Sequence, residues 1–278
     1  TPTMGGIAII AGVVIALLLV GLIYKINTAM IGAMFLYFAL IGFVDDYIKV
    51  VRKRNLGLTS KQKFLLQVIG AVVVVLYAAN HPDIGTYIYV PFYNDIVDFG
   101  WVYYPFTIIA VVAVVNAVNL TDGLDGLAAS VSAVVFLFLT IASLAFGYLQ
   151  TSVVAAASLG ACLGFLIFNR HPAKVFMGDT GALALGGAVI LVAVVSKLQL
   201  YIFLAGIIYV IEALSVVLQV GYFKYTRIKT GTGKRIFRMA PLHHHFEMGG
   251  LSENKIVLMF VGITIVFSMI ALMTLPIL

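Results

Sequence analysis

Four stretches of this sequence place acids, amides and lysines where they could bind or transfer a charged group. The first is Phe43-Val44-Asp45-Asp46-Tyr47-Ile48-Lys49. Adjacent carboxylates close an apolar run, and Lys49 follows Asp46 by three residues and Asp45 by four, so on a helix one ammonium can neighbour both. Two acids at the negative C-terminal end of a helix are unfavourable unless a cation lies close. Lys49 and a divalent metal are the candidates, against the plain alternative that membrane helices often end in charge. The second stretch, Asn116-Ala117-Val118-Asn119-Leu120-Thr121-Asp122-Gly123-Leu124-Asp125-Gly126, sets two acids, an amide and two glycines within its last eight residues, a flexible turn. Capping of the next helix accounts for Asp122 or Asp125 but not for both. The glycines allow a ligand to approach the backbone closely.

The third stretch is Phe168-Asn169-Arg170-His171-Pro172-Ala173-Lys174-Val175-Phe176-Met177-Gly178-Asp179-Thr180-Gly181. Pro172 stops the preceding helix, and Asp179 or Thr180 is placed to cap the following one. The fourth, Met239-Ala240-Pro241-Leu242-His243-His244-His245-Phe246-Glu247, holds three consecutive histidines. Consecutive histidines rarely turn onto one zinc ion, whereas imidazoles near a phosphate can donate hydrogen bonds or move a proton. A lone Glu212 lies within an apolar run, where a carboxylate is expensive and must face a polar interior or a partner.

The elements that position these groups are membrane helices. Of the 278 residues, 63% are hydrophobic and 10% charged, which excludes a soluble globule. A helix needs roughly 17 to 25 apolar residues to cross a bilayer, and the sequence predicts nine such spans: 4–24, 28–44, 63–79, 103–119, 127–146, 152–168, 181–196, 200–222 and 256–277. The expected class is all-α, a polytopic transmembrane bundle forming one catalytic domain. Residues 25–27 make the first turn. The net charge is +6, and 15 of the 17 Lys and Arg fall in alternate connections, 45–63, 169–180 and 223–255, leaving Lys25 and Lys197 on the other side. That bias marks the basic side as cytosolic. It also explains most of Arg52-Lys53-Arg54 and Lys61-Gln62-Lys63 without a ligand, although such clusters suit anionic headgroups or a polyphosphate. Helices beginning near Lys63, Gly126 and Gly181 point their positive ends at the same face, which favours anionic phosphates there. On the outer side, connection 80–102 lacks Lys and Arg, and its runs 86–90 and 99–103 flank Asn94-Asp95 as a small hairpin. Cys162 lies inside a span and forms no intrachain disulfide. The opening Thr1-Pro2-Thr3-Met4-Gly5-Gly6 reads as the end of a loop, so a segment before it is expected.

Five motifs, Thr1-Pro2-Thr3-Met4-Gly5-Gly6, Asp45-Asp46-Tyr47-Ile48-Lys49, Asn119-Leu120-Thr121-Asp122-Gly123-Leu124-Asp125-Gly126, Phe176-Met177-Gly178-Asp179 and Pro241-Leu242-His243-His244-His245-Phe246-Glu247, span nearly the whole chain. In their order the chain resembles the polyprenyl-phosphate N-acetylhexosamine-1-phosphate transferases. The triple histidine points to the branch of that family using UDP-MurNAc-pentapeptide. The resemblance implies ten membrane helices, of which nine are visible here, in a bacterial cytoplasmic membrane with the active site facing the cytosol. It implies transfer of phospho-MurNAc-pentapeptide to undecaprenyl phosphate, giving lipid I and UMP in peptidoglycan synthesis, with Mg²⁺ as cofactor and a homodimer as the assembly. By motif position, Asp179 matches the magnesium-binding acid, Asp45 and Asp46 the catalytic pair, and His243 an essential histidine. Asn119, Asp122, Leu124, Asp125, Phe176, Gln219 and His244 match nucleotide-site positions. Thr3, Lys49, Lys61 and His245 are further substrate-site candidates.

The expected reaction is direct attack by the lipid phosphate, with Asp45 assisting as base and Asp46 supporting the charge network. A two-step route through an aspartyl-phosphate is the rival. Two other functions compete: a sister transferase using UDP-GlcNAc, and an ion-coupled transporter. Glu212 inside a span is what suggests the transporter, but transporters tend to show inverted repeats and acids near the midplane, whereas here the acids cluster at the cytosolic helix ends and no repeat is evident.

Overall fold

In the computed structural model the described residues are 1–24, 28–51, 56–93 and 95–276. The turn at 25–27, the basic run at 52–54 and Asn94 at the expected hairpin tip lie outside them. The elements in order are α1 (Gly6–Tyr24), α2 (Ala29–Val51), α3 (Ser60–Asn80), β1 (Tyr87–Val90), β2 (Asp95–Asp98), α4 (Tyr103–Thr121), α5 (Leu127–Ala145), α6 (Leu149–Asn169), α7 (Gly178–Val195), α8 (Gln199–Ala205), α9 (Ile207–Thr230), α10 (Leu242–Glu247) and α11 (Glu253–Met273). Among the described residues eight helices are long and apolar enough to cross a membrane, and α1 adds a shorter apolar stretch, Gly6–Leu22. The chain is a multi-pass, all-α membrane protein.

Helix α7 is the axis of the bundle. Every residue from 180 to 194 is buried, as an all-round apolar helix requires. Helices α1, α2, α4 and α6 pack around it. The approach of α2 to α7 is close enough to require glycine: a Cβ on Gly42 would lie 2.1 Å from the Asp179 carbonyl oxygen and 2.7 Å from the Thr180 Cα. Gly42→Ala is therefore expected to cost about 2 kcal/mol through overpacking, lowering the melting temperature of the detergent-solubilised protein by roughly 5 °C. A melting curve that overlays the wild type would show that the two helices are not held this tightly.

Several boundaries differ from those the sequence predicts, each for a local reason. Helix α2 runs seven residues past the expected end at 44, because Lys49 bonds Asp45 one turn back at 2.6 Å and offsets the charge. Helix α3 starts at Ser60 rather than 63. Thr59 forms a capping box there: its hydroxyl accepts from the Gln62 N–H, and the Gln62 side chain accepts from the Thr59 N–H. The span expected at 200–222 is broken at Gly206 into α8 and α9. Past Ser215 only Thr226 on α9 is buried, so most of this helix runs outside the bundle.

The outer hairpin exists, with Tyr87 opposite Asp98 and Val90 opposite Asp95, but its second strand is 95–98 and not 99–103. Gly100 adopts a positive φ of 50° and donates its N–H to the Asp98 carboxylate, ending the extended run before α4 begins. Cys162 is buried, as a packing residue should be.

Candidate active site

The positive N-terminus of α7 opens at the basic end of the bundle, and the sequence expectation that Asp179 or Thr180 caps it is not met. Both residues lie inside the first turn. The capping carboxylate comes from α2: Asp46 accepts the N–H groups of Asp179 at 3.2 Å and Thr180 at 2.8 Å, and the Thr180 hydroxyl at 2.6 Å. A buried acid there is stabilised by the orphan amides and the helix dipole. Gly178 precedes this turn with φ 73°, and a Cβ on it would lie 2.6 Å from the Asp46 carboxylate, so only glycine fits.

The neighbouring acid points elsewhere. Successive helical side chains diverge by about 100°, and Asp45, 1% exposed, turns to Lys49 at 2.6 Å and to the Leu58 N–H at 2.8 Å. Lys49 does not join Asp45 to Asp46, as the spacing suggested, but Asp45 to Asp179, which it reaches at 2.7 Å. Lys63 also reaches Asp179 at 2.7 Å and approaches Asp45 at 3.5 Å. Asn119 donates to the other Asp179 oxygen at 2.8 Å. Oxygens of Asp45, Asp46 and Asp179 all lie within 4.8 Å of one another, an all-carboxylate set able to hold a hard divalent cation.

Above this cluster opens a cleft of about 410 Å³, lined among others by Thr3, Lys49, Asn119, Asp122, Phe176 and Asp179. Leu124 and Asp125 also line it, as does Asn169, which the sequence reading did not single out. Neither Asp122 nor Asp125 caps α5, which starts after Gly126 without a side-chain cap. Asp125 instead accepts the Ala173 N–H at 2.9 Å and meets His171 at 3.1 Å, tying the turn to the 170–177 loop. The Gly126 N–H donates to Asn169. Asp122, half-buried, makes no ion pair among the described residues. Burial, reinforced by the charges of Asp179 and Asp46, pushes its carboxyl up to about 7.

Six expected site residues do not line this cleft: Asp45 lies in the cluster beneath it, and Lys61, Gln219, His243, His244 and His245 are not brought to it. Lys61 is exposed on the first turn of α3 and meets no carboxylate among the described residues. The buried face of α3 runs through Gln67, Gly70, Val74 and Ala78, and Lys63 continues that face one turn earlier while Lys61 lies off it. That periodicity is the signal that would have singled out Lys63. Gln219 is occupied in fixing the last basic loop: its amide donates to the Phe237 carbonyl and accepts the N–H groups of Ile236 and Phe237. The three histidines go to three different partners. His243 pairs with Glu212, His244 with Glu247, and His245 accepts the Arg238 N–H. Glu212 thus finds the partner its burial demands.

Comparison with known proteins shows the family. The model of glycosyl transferase family 4 matches residues 28–197. The chain is 48% identical to the phospho-N-acetylmuramoyl-pentapeptide-transferase of Alkaliphilus oremlandii, over 98% of this chain and 83% of that protein. It is 50% identical to the protein of the same name from Clostridium perfringens strain 13, over 98% and 83%. With that from Halalkalibacterium halodurans it shares 46% identity over 98% and 82%.

Proposed function

This chain belongs to glycosyl transferase family 4, and from that premise we propose that it transfers phospho-MurNAc-pentapeptide from UDP-MurNAc-pentapeptide to undecaprenyl phosphate, forming lipid I and releasing UMP. The observation carrying this reading is the meeting of Asp45, Asp46 and Asp179 with Lys49 and Lys63 beneath one open cleft. Both reactants are anionic, so the main barrier the protein must lower is their mutual repulsion. Phosphoryl transfer depends chiefly on positioning and electrostatics.

In the proposed reaction an oxygen of the lipid phosphate attacks the sugar-linked phosphorus. The bond from that phosphorus to the bridging oxygen breaks, and UMP leaves with the electron pair. Any proton still on the attacking phosphate passes to Asp45. Lys49 and Lys63 hold Asp179 at the cleft and offer positive charge to the diphosphate. Asp46, bound by three donors of α7, keeps α2 and α7 in register and orients the cluster. Mg²⁺, which takes oxygen ligands and retains waters, fits Asp179 first and Asp45 and Asp46 beside it; when bound it neutralises diphosphate oxygens. Uridine has Phe176 to stack on and the 119–125 turn for hydrogen bonds. The prenyl chain needs an apolar route, and a groove of about 390 Å³ between α1 and α2 ends at Thr180, the residue bonded to Asp46. Direct transfer and the aspartyl-phosphate route differ in whether UMP leaves before the lipid arrives, and the assay below separates them. The basic loops at this end support a cytosolic orientation, and the family resemblance adds a bacterial inner membrane and a homodimer.

The test is UMP release by the purified protein with Mg²⁺, undecaprenyl phosphate and either UDP-MurNAc-pentapeptide or UDP-GlcNAc. Release with the first donor only is expected, together with none when the lipid is omitted. Preference for UDP-GlcNAc would overturn the donor assignment. A stoichiometric burst of UMP without lipid would replace direct transfer with the two-step route.

A further inference from the structure

Glu212 and His243 form a buried pair behind the cleft and not in it. Glu212 is 0% exposed and its two oxygens face one residue: Oε1 accepts the His243 backbone N–H at 3.0 Å and Oε2 meets His243 Nδ1 at 2.8 Å. The two contacts with Glu212 hold the ring in one orientation, with Nε2 on the side away from the carboxylate. That Nε2 is buried and has no hydrogen-bond partner among the described residues. It lies directly under the acid turn: a Cβ on Gly123 would fall 2.1 Å from it. Gly123 sits between Asp122 and Leu124, which both line the cleft. The imidazole is thus a strut whose far end is fixed by Glu212 and whose near end carries the turn.

We propose that Glu212 is a positioning residue that acts through His243 to set the height of turn 122–126, and so the affinity of the cleft for the nucleotide donor. The substrate assignment rests on the transferase reading above; the mechanical coupling does not. Glu212 comes from α9, His243 from α10 and the turn from the α4–α5 connection, so the pair joins three elements. Removing the carboxylate leaves two buried donors of His243 unsatisfied and frees the ring to rotate away from Gly123. Asp122, next to Gly123, then loses its fixed relation to Asp179, while Asp125 keeps its bonds to His171 and Ala173 and the carboxylate cluster, which Glu212 does not touch, is unchanged.

Two measurements on the full detergent-solubilised chain test this. In substrate-free protein, hydrogen exchange of the backbone amides at 122–126 should accelerate in Glu212→Ala, with the amides of α7 unaffected. In the UMP-release assay the same variant should raise KM for UDP-MurNAc-pentapeptide roughly tenfold or more, the effect of a lost buried charge-assisted hydrogen bond, with kcat and KM for the lipid near wild type and Glu212→Gln intermediate. Unchanged exchange at the turn, or equal loss towards both substrates, overturns the proposal. Should Glu212→Ala not accumulate in the membrane, Gly123→Ala probes the same contact from the other side and must raise the same KM; a wild-type KM there is equally fatal. Wild-type turnover in this assay reports on the transferase reading, and amide exchange reports on Glu212 without substrate, so the two can fail separately.

Discussion

Asp179→Asn lowers turnover by about 10²- to 10³-fold, the scale expected when a charged group that stabilises developing phosphoryl charge is removed. Among the described residues Asp179 is the only carboxylate that lines the cleft and also receives both Lys49 and Lys63. An amide keeps the shape but cannot balance two ammonium groups. Lys49 retains Asp45 at 2.6 Å, whereas Lys63 is left with Asp45 at 3.5 Å and is free to swing out. The same variant should need more Mg²⁺ for half-maximal activity, because the all-carboxylate set loses one charge. UMP release measured against Mg²⁺ concentration checks both effects. Because the amides of Asp179 and Thr180 still meet Asp46, the fold should survive. Full activity in Asp179→Asn would remove the metal assignment.

Asp122→Asn separates function from stability. Burial and the nearby charges of Asp179 and Asp46 raise the Asp122 carboxyl from 3.8 to about 7 in the folded protein. A group with a raised folded pKa favours folding only in its protonated form, so its contribution is complete below the unfolded value and is lost as pH rises through the folded one. The wild type therefore carries a growing penalty between about pH 4 and pH 7, on the order of 2 kcal/mol once partial exposure is discounted. The variant escapes it. In magnesium-free buffer its melting temperature should match the wild type near pH 4 and exceed it by roughly 5 °C at pH 8. Its kcat/KM should fall by tenfold or more, because the cleft loses an acid placed for the nucleotide or the cation. A stability difference that does not change with pH would show that Asp122 ionises normally. Such a residue, costly to the fold and placed at the site, is what a stability–activity trade-off predicts.

The alternatives carried from the sequence fare differently. An ion-coupled transporter would hold its acids along a path through the bundle; here the acids of the cleft gather at one end, and Glu212 is closed off by His243. A sister transferase using UDP-GlcNAc shares the carboxylate cluster, so the donor assignment depends on the parts away from it, in the turn and the 170–177 loop.

What the sequence determined by itself was set by local composition. Apolar windows of about 20 residues fix membrane helices one at a time, basic loops fix which ends share a face, and the acid-bearing turns could be placed on that face without knowing how any helix packs. This made the convergence of Asp46, Asp122, Asp125 and Asp179 on one cleft foreseeable. The pairing within the cluster was not, because it depends on the rotation of each helix about its axis and on contacts across long separations. Lys63 and not Lys61 reaches Asp179 because α3 turns its Gln67 face inward. Asp46 caps a helix that begins 132 residues later because α2 meets α7 at Gly42. His243 is withdrawn from the cleft because Glu212, 31 residues earlier, needs a partner in a medium that offers it none. Hydropathy and charge are summed along the chain, whereas which carboxylate meets which donor is decided by side-chain direction across packed helices, and only the tertiary structure contains that information.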